Sequence, residues 1–339
     1  MKPWPIGKTK EWITNQPWLL GCNFIPSTAI NQLEMWQANT FDPKTIDREL
    51  GWAAEIGFNT VRTYLHDLVW KANAEGFKNR IERFLSIADQ HGIRPMLVIF
   101  DDCWNKDPCI GNQPTPKPGI HNSGWMRSPG KNVVKDPAQW ERLKFYVTDI
   151  LTSFANDKRI LMWDLYNEPG WSRINSIALV KSTIKWARKV NPSQPLTIGV
   201  HNFAPRFKAF NKFQLANSDI ITFHHYGKPQ ALQRLITQLN KHNRPLICTE
   251  WLARSEGSQI ASNLLVFKQN NVGCINWGLV AGKTNTIYPW LLTKAGIKTR
   301  LLSYLGIFNE PDPWFHDLLH PDGIPYDSEE IELFQKFKG

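Results

Sequence analysis

Short runs of bulky apolar residues recur along the chain. Each is followed by polar or Gly/Pro residues and then by a stretch of helical period. The runs are continuous rather than alternating, the pattern of strands buried on both faces. WLLGCNFIP (18–26) is the first, NTVRTYL (59–65) the second and RPMLVIF (94–100) the third. RILMWDLYN (159–167), PLTIGV (195–200), DIITFHHY (219–226), RPLICTEWL (244–252) and GCINWGLV (273–280) complete a set of eight. The stretches between them predict helices. DPKTIDRELGWAAEIG (42–57) has Asp42 as N-cap, Pro43 at the first helical position and a buried stripe of Ile46, Leu50, Ala53 and Ala54. FKNRIERFLSIADQHG (77–92) is closed by Gly92, and PAQWERLKFYVTDILTSFA (137–155) is capped by Asp136. Further helices are expected at 174–190, 229–241, within 259–269 and near 300–308, with the helix after the fifth strand the weakest in pattern.

Eight apolar strands alternating with helices predict an α/β fold, a closed parallel (β/α)8 TIM barrel. An open doubly wound sheet would bring a Gly-rich phosphate loop after an early strand, and none is present. No linker or boundary interrupts the 339 residues, so 1–339 is expected to be a single domain. The Pro/Gly-rich segment 101–137 is too long for an ordinary connection and is expected to be a functional loop over the top face. Hydrophobic residues make up 42%, ample for a core, and the 16 Trp supply flat faces that suit cores and sugar rings alike.

Charge changes this picture little. The net charge is +10, but the Lys and Arg are scattered and form no nucleic-acid motif. A solvated basic surface with no nucleic-acid partner is expected, and an acidic or sulfated substrate is compatible with it. The five Cys have no zinc-ligand spacing. Cys22, Cys248 and Cys274 sit in apolar runs and read as small core residues, whereas Cys103 and Cys109 share one loop, close enough to pair. The start MKPWPIGKTKEW lacks an apolar signal core and no run reaches transmembrane length, so no membrane partner is expected. The chain as it stands reads as cytoplasmic, or as secreted or periplasmic if a leader was removed.

In such a barrel the C-terminal strand ends carry the chemistry. They hold Arg62 and Tyr64 on strand 2, Asp101, Asp102, Cys103 and Trp104 on strand 3, and Asn167 and Glu168 on strand 4. Strand 5 ends in His201 and Asn202, strand 6 in His224, His225 and Tyr226, strand 7 in Glu250 and strand 8 in Trp277. Glu168 and Glu250 follow hydrophobic strands directly. A carboxylate there is costly unless partnered, and the cost makes sense if the pair works as one acid and one nucleophile. Glycoside hydrolysis needs two carboxyls, about 5–5.5 Å apart for retention and about 6.5–9.5 Å for inversion. The bland alternative is that each glutamate merely salt-bridges a barrel arginine such as Arg62.

WDLYNEP and LICTEW resemble the strand 4 and strand 7 signatures of clan A glycoside hydrolases, and most of all glycoside hydrolase family 5. The resemblance runs from GCNFIP to CINWGLV. It implies a retaining β-glycosidase with Glu168 as general acid/base and Glu250 as nucleophile. It further implies Asn167 on the sugar 2-hydroxyl, Arg62 holding the nucleophile ionised, His224 and Tyr226 orienting it, and Trp277 flooring the sugar subsite. A nucleophile must be ionised, and a nearby guanidinium and Tyr hydroxyl should lower the Glu250 pKa. No cofactor or metal is called for, and the expected partner is a carbohydrate.

Strand 3 departs from the family, in which a His-containing motif often stands where this chain has FDDCW. There Asp101 or Asp102 is expected to hydrogen-bond a sugar hydroxyl. His201 is placed either in the pocket or in the core. Trp36, Trp104, Trp125 and Trp171 fall in top-face loops and are expected as binding platforms, while Trp12, Trp52, Trp140 and Trp186 read as structural. The loop bearing Trp104 and Trp125 leans the reading toward a pocket rather than an open cleft. Two competing functions remain. One is an enolase-type barrel with Asp101, Asp102, Glu168 and Glu250 as metal ligands, disfavoured because the two glutamates are three strands apart. The other is a non-catalytic carbohydrate-binding barrel. A transglycosylase would use the same residues as a hydrolase.

Overall fold

A computed structural model of the chain describes residues 2–170, 175–304 and 310–337. Eight parallel strands, β1 (Leu20–Asn23), β2 (Thr60–Tyr64), β3 (Met96–Val98), β4 (Met162–Asp164), β5 (Leu196–Thr197), β6 (Ile221–His224), β7 (Leu246–Glu250) and β8 (Gly273–Trp277), form one sheet ordered β5-β4-β3-β2-β1-β8-β7-β6. The sheet curls until Val200, just past β5, bridges Phe223 on β6, with Val200 N–H donating to Thr222 O (3.0 Å) and His224 N–H to Val200 O (3.1 Å). The (β/α)8 TIM barrel is therefore nearly closed, as the alternation predicts. The strands are shorter than their apolar runs because only the middle of each run is laddered to a neighbouring strand. The flanks peel away into the loops that carry polar side chains.

Two apolar layers hold the barrel. Outside, strand residues such as Val61, Leu97, Trp163 and Phe223 pack against helix stripes. Inside, Leu19, Met96, Met162, Ile247 and Ile275 fill the lower third, and Trp12 and Ile13 of the helix Ile6–Thr14 pack against them from below. The bottom is thus apolar and plugged, so the polar residues higher in the barrel face only the top. Gly21 shows how tightly the strands run: a Cβ there would lie 1.9 Å from Thr60 O.

Local signals hold where they are strong. The helix Pro43–Ile56 begins at Asp42, whose carboxylate accepts from Thr45 N–H at 3.1 Å, and ends at Gly57 with φ 103°. Its buried stripe includes Glu49, and Ala54 lies half-exposed, one position off the expected stripe. Asp136 caps a short 3-10 turn, Pro137–Gln139, ahead of the helix Trp140–Ser153. The last expected helix starts earlier, at Lys294–Tyr304, and 305–308 of its expected span lie outside the described residues. The first residue of the helix expected at 174–190 also lies outside them, and that helix is seen from Ile177 to Val190. A helix after β5 does form, Lys208–Asn217.

Candidate active site

Side chains alternate in and out along a strand, so Arg62 and Tyr64 on β2 both point into the barrel. Arg62 is fully buried and is the hub of the polar layer. Its guanidinium donates to Asp164 (2.8 and 3.1 Å), Asn167 Oδ1 (2.6 Å), Asn23 Oδ1 (2.9 Å) and Glu250 Oε1 (2.9 Å), and also to the Tyr64 hydroxyl. Burial works against the cation. The neighbouring carboxylates of Asp164 and Glu250 outweigh it and raise the Arg62 pKa, so the charge is locked in.

Glu250 ends β7 and is 4% exposed. Besides Arg62, its carboxylate accepts from Tyr64 OH (3.1 Å) on Oε1 and Tyr226 OH (2.8 Å) on Oε2, with His224 Nδ1 3.4 Å from Oε2. Burial keeps both tyrosines protonated, so each remains a donor. The expectation that Arg62 and Tyr226 lower the Glu250 pKa needs correcting: the net direction is upward. Burial dominates, Glu168 adds to it, and His224, Arg62 and Tyr226 only pull part of the way back.

Glu168 sits just beyond β4 with φ 42°, a left-handed backbone that costs a non-glycine residue about 1–3 kcal/mol. Its neighbours hold it there. Asn167 N–H donates to Phe100 O (2.7 Å), and Gly170, itself at φ 85°, donates its N–H to Asp102 Oδ2 (2.7 Å). The strained residue is thus pinned on both sides to the β3 segment. Glu168 Oε1 lies 2.8 Å from His224 Nδ1, and Oε2 accepts from the Cys103 thiol at 3.3 Å. Burial depresses His224 to about 4, so its ring is neutral at neutral pH. Burial also raises the Cys103 pKa and keeps the thiol protonated. One ligand atom from each of Glu168, His224 and Glu250 falls within 4.8 Å of the other two.

Asp101 and Asp102 differ from expectation, since both lie inside protein and face no open cleft. Asp101 accepts from Gln32 Nε2 (3.1 Å), Trp125 Nε1 (2.7 Å), Asn167 Nδ2 (3.0 Å) and Cys103 N–H (3.0 Å). Burial raises it to about 6 in spite of these donors. Asp102 is paired with Arg127 and accepts from Tyr166 OH (2.9 Å), Gly170 N–H and Ser176 Oγ (2.6 Å). Their work is to hold Asn167 and the Glu168 turn. With their oxygens so engaged, the four-carboxylate cage of an enolase-type site does not assemble.

Trp277 ends β8 with its ring against Trp125 (5.6 Å) and Tyr64 (6.0 Å). Trp104 is half-buried beside His121 (5.4 Å), and His201 is half-buried with its ring on Phe207. Burial lowers the His201 pKa, and the charge of nearby Glu168 opposes this. Trp125 is buried rather than an open platform. Trp36 is core: its N–H donates to Tyr64 O (2.8 Å) and its ring packs on Phe41, Phe77 and Phe84. Trp171 lies outside the described residues. Cys103 and Cys109 are both free thiols, one buried and one exposed, so they do not pair.

Sequence reading missed Asn23 and Asp164 as site components and left the role of Tyr64 open. Asp164 and Arg62 carried a usable signal, since each is a lone charge inside an apolar run. Cys103 carried none, because a cysteine beside a carboxylate in space is invisible in the chain.

None of the curated proteins matches the chain in sequence. Solved structures share its fold at low identity. The exo-β-1,4-mannosidase from Opitutaceae bacterium strain TAV5 is 18% identical with a TM-score of 0.61, covering 94% of this chain, which spans only 59% of the mannosidase. A family 5 enzyme from Streptomyces cattleya, solved with Manβ1-4GlcNAc, is 12% identical with a TM-score of 0.64, covering 95% of this chain and 80% of its own. A xyloglucan-specific endo-β-1,4-glucanase from a metagenomic library is 14% identical with a TM-score of 0.59, covering 98% and 99%. The family model "Cellulase (glycosyl hydrolase family 5)" matches residues 25–282, a span that begins just after β1, ends just after β8 and takes in the polar residues of the site described above except Asn23. With the barrel, the paired carboxylates and that match in hand, the chain belongs to glycosyl hydrolase family 5, a family of glycoside hydrolases.

Proposed function

We propose that the protein is a retaining hydrolase of β-linked oligo- or polysaccharides, working by double displacement with Glu250 as nucleophile and Glu168 as acid/base. The observation that carries this reading is the approach of the two carboxylates, one oxygen of each lying within 4.8 Å of the other. So close an approach of single oxygens supports the spacing of about 5–5.5 Å used in direct attack over the about 6.5–9.5 Å used in inversion.

The donors divide the roles. Glu250 collects a guanidinium and two phenols, all of which favour its charge. The partners of Glu168 seen among the described residues are a thiol and a neutral imidazole. On this reading the donors favour placing the negative charge on Glu250, although burial opposes them, and Glu168 carries the proton for the leaving group. Neutral His224 serves Glu168 in both charge states: Nδ1 accepts from the acid in one tautomer and donates to the carboxylate in the other. In the first step a Glu250 oxygen bonds the anomeric carbon, the glycosidic C–O bond breaks and the Glu168 proton passes to the departing oxygen. In the second, Glu168 takes a proton from water, the water oxygen bonds the anomeric carbon, and the ester to Glu250 breaks. Asn167, held by Arg62 and Asp101, is the residue assigned here to the sugar 2-hydroxyl.

The β-1,4-mannosides and glucans named for the structural neighbours are the first substrates to try. The test is proton NMR of the first-formed product: the β-anomer is expected, and α-product would sink double displacement. A chelator titration tests the competing idea that Glu168, His224 and Glu250 hold a cation, and full activity in chelator is expected.

A further inference from the structure

The loop after β3 reaches the loop after β8. In the barrel these strands are separated by β2 and β1, so the contact requires the β3 loop to pass over the tops of both. Asn122 N–H donates to Thr284 O (2.8 Å), His121 Nδ1 lies 2.8 Å from Tyr288 O, and Asn285 Nδ2 donates to Lys117 O (2.9 Å). On the way the loop is tied down over β1, where Asn31 Nδ2 donates to Gly124 O (2.8 Å) and Gln37 exchanges two hydrogen bonds with Gly111.

We propose that this crossing closes the sugar-binding end of the site behind Trp277. The enzyme then accepts only the terminal, non-reducing sugar of its substrate and releases it as a monosaccharide. The inference rests on the retaining-hydrolase reading above, which places the departing group on the Glu168 side and the retained sugar over Trp277.

Three observations carry it. Between Trp277, Trp125, Asn122 and Thr284 the remaining cavity is about 20 Å³, room for one water and far too little for a second sugar ring. The plug is rigid: Trp125 is buried, packs edge-on against Tyr64 (5.1 Å) and donates its N–H to Asp101. The far side of the crossing is anchored as well. Buried Arg254 donates to Trp314 O and Asp317 O (both 3.1 Å) and to Glu330, which holds His316 and its neighbours against Trp277 and Tyr226. The Glu168 side differs. Among the described residues the ends of β5 and β6 present half-buried His201 and His225 and a Phe203 that is 39% exposed, with no loop strapped across them. The described residues on that side leave a path for the rest of the sugar chain.

The test uses 4-nitrophenyl β-monosides and the matching β-1,4-linked biosides in the gluco, manno, xylo and galacto series, with products followed by chromatography and nitrophenol by absorbance. The wild-type enzyme is expected to release nitrophenol from a monoside at once. From the bioside it should release the monosaccharide first and nitrophenol only after a lag; a full set of biosides left untouched while a matching monoside is cleaved would overturn the release of a terminal sugar from a chain. Nitrophenol without a lag, with the intact disaccharide as first product, would overturn the proposal while leaving the hydrolase reading in place. No turnover of any monoside or bioside would overturn the hydrolase reading and this proposal with it.

Discussion

Replacing Tyr226 with phenylalanine removes one oxygen and little else. Its ring keeps its edge-to-face contact with Trp290 (4.8 Å) and its place beside His316 (5.6 Å), so the fold should be untouched. The hydroxyl lost is the 2.8 Å donor to Glu250 Oε2. A hydrogen bond to a charged group contributes about 1.5–3 kcal/mol, and at about 1.36 kcal/mol per decade its loss is about 10- to 150-fold in kcat/KM. The loss should depend on pH. The hydroxyl favours the charged form of Glu250, so removing it raises the Glu250 pKa and moves the acidic limb of kcat/KM to higher pH. The deficit is then largest at low pH and shrinks as pH rises. Activated aryl leaving groups should not rescue it, because proton donation by Glu168 is intact. The assay is kcat/KM against pH on one good and one poor aryl leaving group, with thermal unfolding as control. A variant within threefold of wild type, or an acidic limb that does not move, would refute the reasoning.

Glu250→Ala should abolish turnover with the fold retained, and substantial residual hydrolysis of an aryl glycoside would remove Glu250 from the nucleophile role. Glu168→Ala should spare substrates with activated leaving groups far more than unactivated ones; equal losses on both would argue against its acid role. Asp102→Asn removes the buried carboxylate facing Arg127, a kind of change that costs about 3–5 kcal/mol, so a clear fall in Tm and a loosened Glu168 turn are expected, and an unchanged Tm would count against the pairing. Burial raises Glu49 to about 7, so its folded pKa lies above its unfolded value. The Glu49 contribution is therefore most favourable below the unfolded pKa of about 4.5 and is lost as pH rises through 7. Urea unfolding of Glu49→Gln should show its stability relative to wild type improving by about 3 kcal/mol between pH 4.5 and pH 8, and a pH-independent difference would contradict the burial account.

Periodicity, caps and strand ends determined the architecture and the carboxylate pair on their own. An apolar run of strand length followed by a helical stripe can be read locally, and eight of them in alternation leave few arrangements that bury every face. Asn167, Glu168 and Glu250 were legible because a strand that ends in an amide or acid instead of another apolar residue is odd in one dimension. What the chain could not disclose is which polar groups meet once the strands close into a ring. Arg62 bonds Glu250, 188 positions away; Asp101 turns inward to orient Asn167 rather than out toward a sugar; Trp36 goes to the core while Trp125 plugs the space beside Trp277. The passage of the β3 loop over β2 and β1 to reach Thr284 and Tyr288 likewise exists only in the folded chain. Local pattern records which face of an element is apolar. Burial, hydrogen-bond partners and the direction of a pKa shift are properties of contacts between distant segments, and only tertiary structure brings those segments together.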